Sequence, residues 1–203
     1  GPLFGGIAEA AGIRGSFISV GVVAFAFAGL AVLGRSAPCE PLSAALGARV
    51  VLKVETLNPI RCFKGRGADW LVAQRPDETP LVCASAGNFG QAMAYACRRR
   101  GIPLTVYAAT TANQLKLARM RDLDATVVLH GSDFDAAKHE ARRAAAASGA
   151  RFVEDGLDVE TAEGAGTIAL ELLERDEPLQ DLLVPLGNGA LFNGVARVMK
   201  ERS

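Results

Sequence analysis

Lysine is scarce in this chain. Only five of the 22 basic side chains are lysines (Lys53, Lys64, Lys116, Lys138 and Lys200), so any lysine in an unusual setting stands out. Histidine is scarcer. His130 and His139 lie nine residues apart, one at an expected strand end and one on an expected helix, and even beside Asp133 and Asp135 they lack metal-ligand spacing. No metal site is assigned. Neither sign of charge is in excess, with 22 basic against 22 acidic residues, which removes the electrostatic reason to expect nucleic acid as a partner. Cysteine is sparse and unpatterned: Cys39, Cys62, Cys83 and Cys97 form no CxxC pair and no zinc spacing. They read as reduced thiols of a cytoplasmic protein, with Cys83 and Cys97 as small buried apolar residues.

What is present is a core. Half of the 203 residues are hydrophobic and 22% are charged, which excludes disorder and suffices for one large domain or two lobes. Residues 15–34, GSFISVGVVAFAFAGLAVLG, contain no charge and reach the length of about 20 apolar residues that a membrane span needs. A signal peptide, a buried core segment and a stretch out of frame with the rest are the alternatives. Beyond Pro38 short Val- and Leu-rich runs alternate with helical patterns. Strands are expected at 48–55, 81–84, 104–108, 125–129, 151–153 and 182–185. Helices are expected at 67–75, from Asn88 to about Arg100, at 113–123, 134–148 and 165–174, and from Ala190 onward. Strict alternation predicts a parallel sheet covered by crossover helices.

In such sheets ligands sit beyond the carboxyl ends of strands. Two strand-to-helix turns here are rich in small residues: Ser85-Ala86-Gly87-Asn88, and Gly187-Asn188-Gly189-Ala190-Leu191. In the second, the glycines admit an anion close to the backbone and the next helix offers its positive end, although the GxGxxG spacing is absent. A third feature places Lys64 between Phe63 and Gly65 at the start of a helix. A lysine near anion-binding amides can act as amine nucleophile and proton shuttle. Together these supply an imine partner, an anion site and an amide side chain, the set that pyridoxal phosphate needs.

At these residues the chain resembles the fold-type II pyridoxal-phosphate enzymes, which are tryptophan synthase β-like, and within them the serine/threonine dehydratase (threonine ammonia-lyase) group. Glu55-Thr-Leu-Asn-Pro-Ile-Arg-Cys-Phe-Lys-Gly-Arg-Gly67 is similar to the family's Schiff-base lysine signature, and 85–88 to its substrate-carboxylate loop. Pro185-Leu-Gly-Asn-Gly-Ala-Leu191 stands at its phosphate loop, and Glu163-Gly-Ala-Gly-Thr-Ile-Ala-Leu-Glu171 matches a further stretch. The resemblance implies that Lys64 holds the cofactor and moves the substrate α-proton, that Phe63 packs near the ring and that Asn88 bonds the ring hydroxyl. Ser85 with the amides of Ala86, Gly87 and Asn88 would hold the substrate carboxylate. The amides of Gly187, Asn188, Gly189, Ala190 and Leu191 would hold the phosphate.

The implied fold is α/β, a smaller lobe over 80–157 set into a cofactor lobe built from 38–79 and 158–203, with 1–37 unlike the family. The implied reaction is α,β-elimination of L-threonine or L-serine to a 2-oxo acid and ammonia. The alternatives are a β-replacing or racemising relative and a non-catalytic cofactor-binding remnant; the whole form is expected to be a homodimer acting on a small amino acid. Three departures are visible. Cys62 stands where serine is common, Phe89 where histidine is frequent, and the phosphate loop is GNGAL, which fits only if Asn188 and Ala190 need no positive φ. The chain also stops in the helix after that loop where the family continues, so weak turnover and association through open sheet edges are expected of these residues alone.

Overall fold

The computed structural model describes residues 35–176 and 179–202. The apolar stretch 15–34, on which the membrane-span and buried-segment readings fall, lies outside the described residues. Among the described residues no helix is long and apolar enough to cross a membrane.

The chain enters through β1 (Arg35–Pro38), a short helix α1 (Glu40–Leu46) and β2 (Val51–Val54), with β1 and β2 paired antiparallel. Helix α2 (Lys64–Ala73) leads to β3 (Leu81–Ala84), α3 (Asn88–Arg100), β4 (Leu104–Ala108), α4 (Gln114–Arg121), β5 (Thr126–Leu129), α5 (Phe134–Ser148) and β6 (Arg151–Val153). Helices α6 (Val159–Leu173) and α7 (Ala190–Arg202) complete the described chain. Local chemistry sets several of these ends. Asn113 Oδ1 accepts from the amides of Leu115 and Lys116 at the start of α4, and Asp133 Oδ1 accepts from Ala136 at the start of α5. Gly101 closes α3 in the left-handed region that a side chain would resist (φ 67°).

The second sheet has the order β5-β4-β3-β6, with every pair parallel. The chain steps outward from β3 to β4 to β5, then crosses back through α5 to place β6 on the far side of β3. Strand order therefore reverses between β3 and β6, and a crevice opens at their carboxyl ends. Alternation along β3 sends Leu81 and Cys83 into one core with Leu71 and Met93, and Val82 into another with Ala141 and Ala145 of α5. A third cluster joins Ile168 and Leu172 of α6 to Val195 and Val198 of α7.

Three expectations change, the first being that β2 does not join the parallel sheet but pairs antiparallel with β1 in a sheet of its own. Residues 182–185 form no strand: among the described residues no strand pairs with them, and Leu183 is 91% exposed. Helix α6 begins six residues before the expected Ala165, because Gly164 is not a helix breaker here but a contact point. Gly166 faces Gly194 of α7, where a Cβ would stand 3.0 Å from the Gly194 carbonyl.

Candidate active site

A cavity of about 520 Å³ occupies the crevice at the β3/β6 switch point. Residues 84–89 form one wall and 152–155 another, Cys62, Phe63 and Lys64 come from the start of α2, and Asn188 comes from the loop before α7. Among the residues singled out from the sequence, Phe63, Lys64, Ser85, Ala86, Gly87, Asn88 and Asn188 all line this one cavity. Gly187, Gly189, Ala190 and Leu191 belong to the adjoining loop and helix start and do not line it.

Lys64 is delivered by a loop tied by one side chain. Asn58 Nδ2 donates to the carbonyls of Glu55 (2.9 Å) and Cys62 (3.1 Å), while its Oδ1 accepts from the amides of Ile60 (3.0 Å) and Cys62 (3.3 Å). Lys64 follows as the first residue of α2. Its Nζ lies 2.7 Å from Asp155 Oδ2, donates to Asn188 Oδ1 at 3.2 Å, and sits 4.7 Å from the centre of the Phe63 ring.

On the wall formed by 84–89 Ser85 is buried, and its Oγ accepts from the amides of Gly87 (3.2 Å) and Gly90 (3.0 Å). A hydroxyl that accepts twice still has its own proton to donate, so Ser85 presents a fixed donor. Asn88 opens α3 and is exposed. In the glycine loop only Gly189 takes a positive φ (96°); Asn188 and Ala190 do not, so the condition set by GNGAL is met. A Cβ on Gly187 would meet nothing within 4 Å, so the space over it is open. The first amides of α7 have no acceptor within their own helix.

Behind the cavity an ionic cluster joins β2, α2 and α6. Arg66 Nε donates to Glu55 Oε2 (2.7 Å), its Nη1 to Glu171 Oε1 (2.6 Å) and Thr167 Oγ1 (2.8 Å), and its Nη2 to Glu55 Oε1 (2.9 Å) and Glu171 Oε2 (3.0 Å). Burial acts against the Arg66 charge, but these hydrogen bonds outweigh it and hold the guanidinium pKa above its ordinary value. The buried thiols are not nucleophiles: burial pushes Cys83 far up and Cys97 up to about 12.

Sequence reasoning missed Asp155 and Lys138, both of which line the cavity. The available signal was position rather than composition: Glu154 and Asp155 directly follow a parallel strand, at its ligand-facing end, with Gly156 as the single glycine of the turn. Among the described residues no group of His, Cys, Asp and Glu could hold a metal ion.

Comparison with known proteins places this geometry. Residues 34–203 match the family described as "Pyridoxal-phosphate dependent enzyme". The L-threonine dehydratase biosynthetic IlvA of Mycobacterium tuberculosis is 38% identical over 173 residues, 82% of this chain and 40% of that protein. The solved structure of the processed form of threonine deaminase isoform 2 from Solanum lycopersicum superimposes with a TM-score of 0.81. It is 29% identical over 92% of this chain and 53% of that one. A pyridoxal 5'-phosphate-dependent aspartate racemase structure gives a TM-score of 0.83 at 25% identity, over 93% of this chain and 59% of that one. The chain spans about 40% of the length of the curated relatives it matches first.

Proposed function

The chain belongs to the pyridoxal-phosphate dependent enzyme family, and from that premise we propose that it carries the cofactor-attaching half of an ammonia-lyase acting on L-threonine or L-serine. The residues fit the cofactor: a lysine amine stands at the cavity wall, open space lies over Gly187 beside the positive end of α7, and the buried Asp155 Oδ1 lacks a hydrogen-bond partner. Bound pyridoxal phosphate supplies a carbonyl carbon for an amine and a sink for the electron pair left at the substrate α-carbon.

In this reading Lys64 Nζ forms the covalent attachment and afterwards carries the α-proton. Ser85 Oγ donates its free proton to the substrate carboxylate, joined by the amides at 86–88. Asn88 would bond the ring hydroxyl and Phe63 would pack near the ring. The amides of Gly187, Asn188, Gly189, Ala190 and Leu191 would donate to the phosphate, with the positive end of the α7 dipole favouring its charge. Elimination suits this wall because it needs one base on one face. A cofactor lobe over 38–79 and 158–203 carrying a smaller lobe over 80–157, a cytoplasmic location and a homodimeric whole form belong to the same proposal.

The observation that carries it is the placement of Lys64 in a cavity at the β3/β6 switch point that the Ser85 loop also lines. Incubation with pyridoxal phosphate, borohydride reduction and peptide mapping is expected to place the label on Lys64. A label confined to Lys53 or Lys116 would overturn the assignment. The protein at its natural length is expected to release ammonia and 2-oxo acid from L-threonine or L-serine, and the K64A variant none. Racemisation is the second reading, favoured by the likeness to the aspartate racemase structure; a chiral assay of the product separates the two.

A further inference from the structure

The ion pairs around Arg66 and at Lys64 differ in how their carboxylates are satisfied, and the difference is informative. In the cluster behind the cavity each carboxylate is satisfied on both oxygens. Glu55 Oε1 and Oε2 receive Lys53 and Arg66, and Glu171 Oε1 and Oε2 receive Arg66 and Lys53. Such carboxylates lock elements together. Asp155 is arranged otherwise. Its Oδ2 meets Lys64 Nζ at 2.7 Å, while its Oδ1 is buried with no hydrogen-bond partner. A charged oxygen left unpaired out of water is costly, so a carboxylate retained only for fold stability is expected to be satisfied on both sides.

The neighbours of Asp155 explain its position. It lies two residues beyond the last residue of β6, and the next residue, Gly156, packs on Asn188: a Cβ there would stand 2.8 Å from the Asn188 carbonyl and 3.1 Å from its side chain. Asn188 in turn accepts from Lys64 Nζ. The ends of β6, the loop before α7 and the start of α2 thus converge on one ammonium group, whose side chain keeps only 16% of its exposure. A second lysine, Lys138, lines the same cavity and is paired with Glu154.

We propose that Asp155 is a positioning residue for Lys64: with Asn188 it clasps the ε-ammonium at the cavity wall whenever Nζ is not covalently engaged. The clasp slows reaction of the amine with small aldehydes from solution, and by aiming Nζ into the cavity it makes Lys64, not Lys138, the lysine that an aldehyde seated in the cavity meets. This rests on the reading of Lys64 as the cofactor lysine, and the test separates the two claims.

The purified protein, before any cofactor is added, is treated with formaldehyde and cyanoborohydride, and methylation of each lysine is followed by mass spectrometry. D155N is expected to speed methylation of Lys64 about two- to fivefold, the range that a partly screened ion pair supports, with Lys53 and Lys116 unchanged. D155E is expected to restore the slow rate. With pyridoxal phosphate and borohydride, D155N is expected to spread label from Lys64 to Lys138. An unchanged Lys64 methylation rate, a D155E variant no slower than D155N, or undiminished preference for Lys64 would overturn the clasp. If D155N does not fold, N188A takes its place with a smaller rise expected at Lys64, and no rise there overturns the proposal equally. The methylation needs no cofactor, so failure of pyridoxal phosphate to label Lys64 in the wild type counts against the functional reading alone.

Discussion

Gly164 rests directly on Gly67: a Cβ on Gly164 would stand 2.6 Å from the Gly67 Cα and 2.4 Å from the Arg66 carbonyl. Helices α2 and α6 cross there backbone to backbone, less than one turn beyond Lys64. The same device joins α6 to α7, since a Cβ on Gly194 would stand 2.0 Å from the Ala162 carbonyl. The lysine end and the glycine loop of the cavity are thus referred to one helix, α6, through contacts that no side chain can adjust.

The G164A variant tests that geometry. The added methyl meets backbone rather than a flexible side chain, so the helices must separate. The expected loss is about 1–3 kcal/mol, a fall of several degrees in Tm for a chain of this size. G187A is the contrasting case, because its Cβ meets open space. Its stability is expected to stay within about 0.5 kcal/mol of wild type, while retention of pyridoxal phosphate on gel filtration falls. A G164A protein as stable as wild type would show that the crossing is not tight.

The legible parts of this chain are those where one signal acts alone. Strands β3, β4 and β6 and helix α5 match the expected bounds because Val- and Leu-rich runs are bracketed by turn residues, and Asp133 caps α5. Helix α6 was half hidden. Gly164 and Gly166 lower helix propensity, and only packing against Gly67 and Gly194 repays that, which a local pattern cannot display. The segment 182–185 has strand chemistry, but a strand is made by its neighbour. At the site, Lys64, the Ser85 loop and Asn188 were legible because their residue types are rare or their turns glycine-rich. Asp155 was not, because an aspartate after a strand looks like any solvated turn until β6 is known to lie beside β3.

The Trp70–Glu163 contact carries a pH signature. Glu163 Oε2 accepts from Trp70 Nε1 at 2.8 Å. Burial, the largest influence, raises its pKa; the indole hydrogen bond opposes this and the nearby Glu160 charge adds to it, so the net displacement is upward. A carboxyl raised in the folded state keeps its proton while the unfolded chain loses it. Its contribution is therefore intact below the unfolded value of about 4.3 and is lost as pH rises through the folded value. E163Q retains an acceptor for Trp70 and removes the ionisation. Discounted for partial exposure, the expected gain is about 0.5 kcal/mol at pH 7, vanishing below about pH 4. Denaturant midpoints at the two pH values measure it, and a destabilised variant at pH 7 would mean that the charged hydrogen bond is the stronger influence.

The choice between elimination and racemisation turns on Ala86. Removing the α-proton needs a base on one face, whereas racemisation needs a second group to return a proton to the other. Lys64 and Ala86 both line the cavity, and Ala86 has no proton to give. After proton removal, the electron pair at the α-carbon can expel the β-hydroxyl, and that exit is open whenever the substrate carries one. The protein at its natural length is therefore expected to convert L-serine to ammonia and 2-oxo acid with little D-serine. Chiral chromatography beside an ammonia assay measures the ratio, and D-serine forming as fast as ammonia would require a second acid other than residue 86. The A86S variant places a hydroxyl at that wall and is expected to raise D-serine relative to ammonia about tenfold, the lower part of the range for a positioned acid. The same variant should leave pyridoxal phosphate labelling of Lys64 unchanged, since the methyl side chain of Ala86 takes no part in the hydrogen bond or ion pair of the lysine clasp. An unaltered product ratio with intact labelling would show that residue 86 does not reach the second face of the substrate, and the preference for elimination would then rest on the leaving group alone.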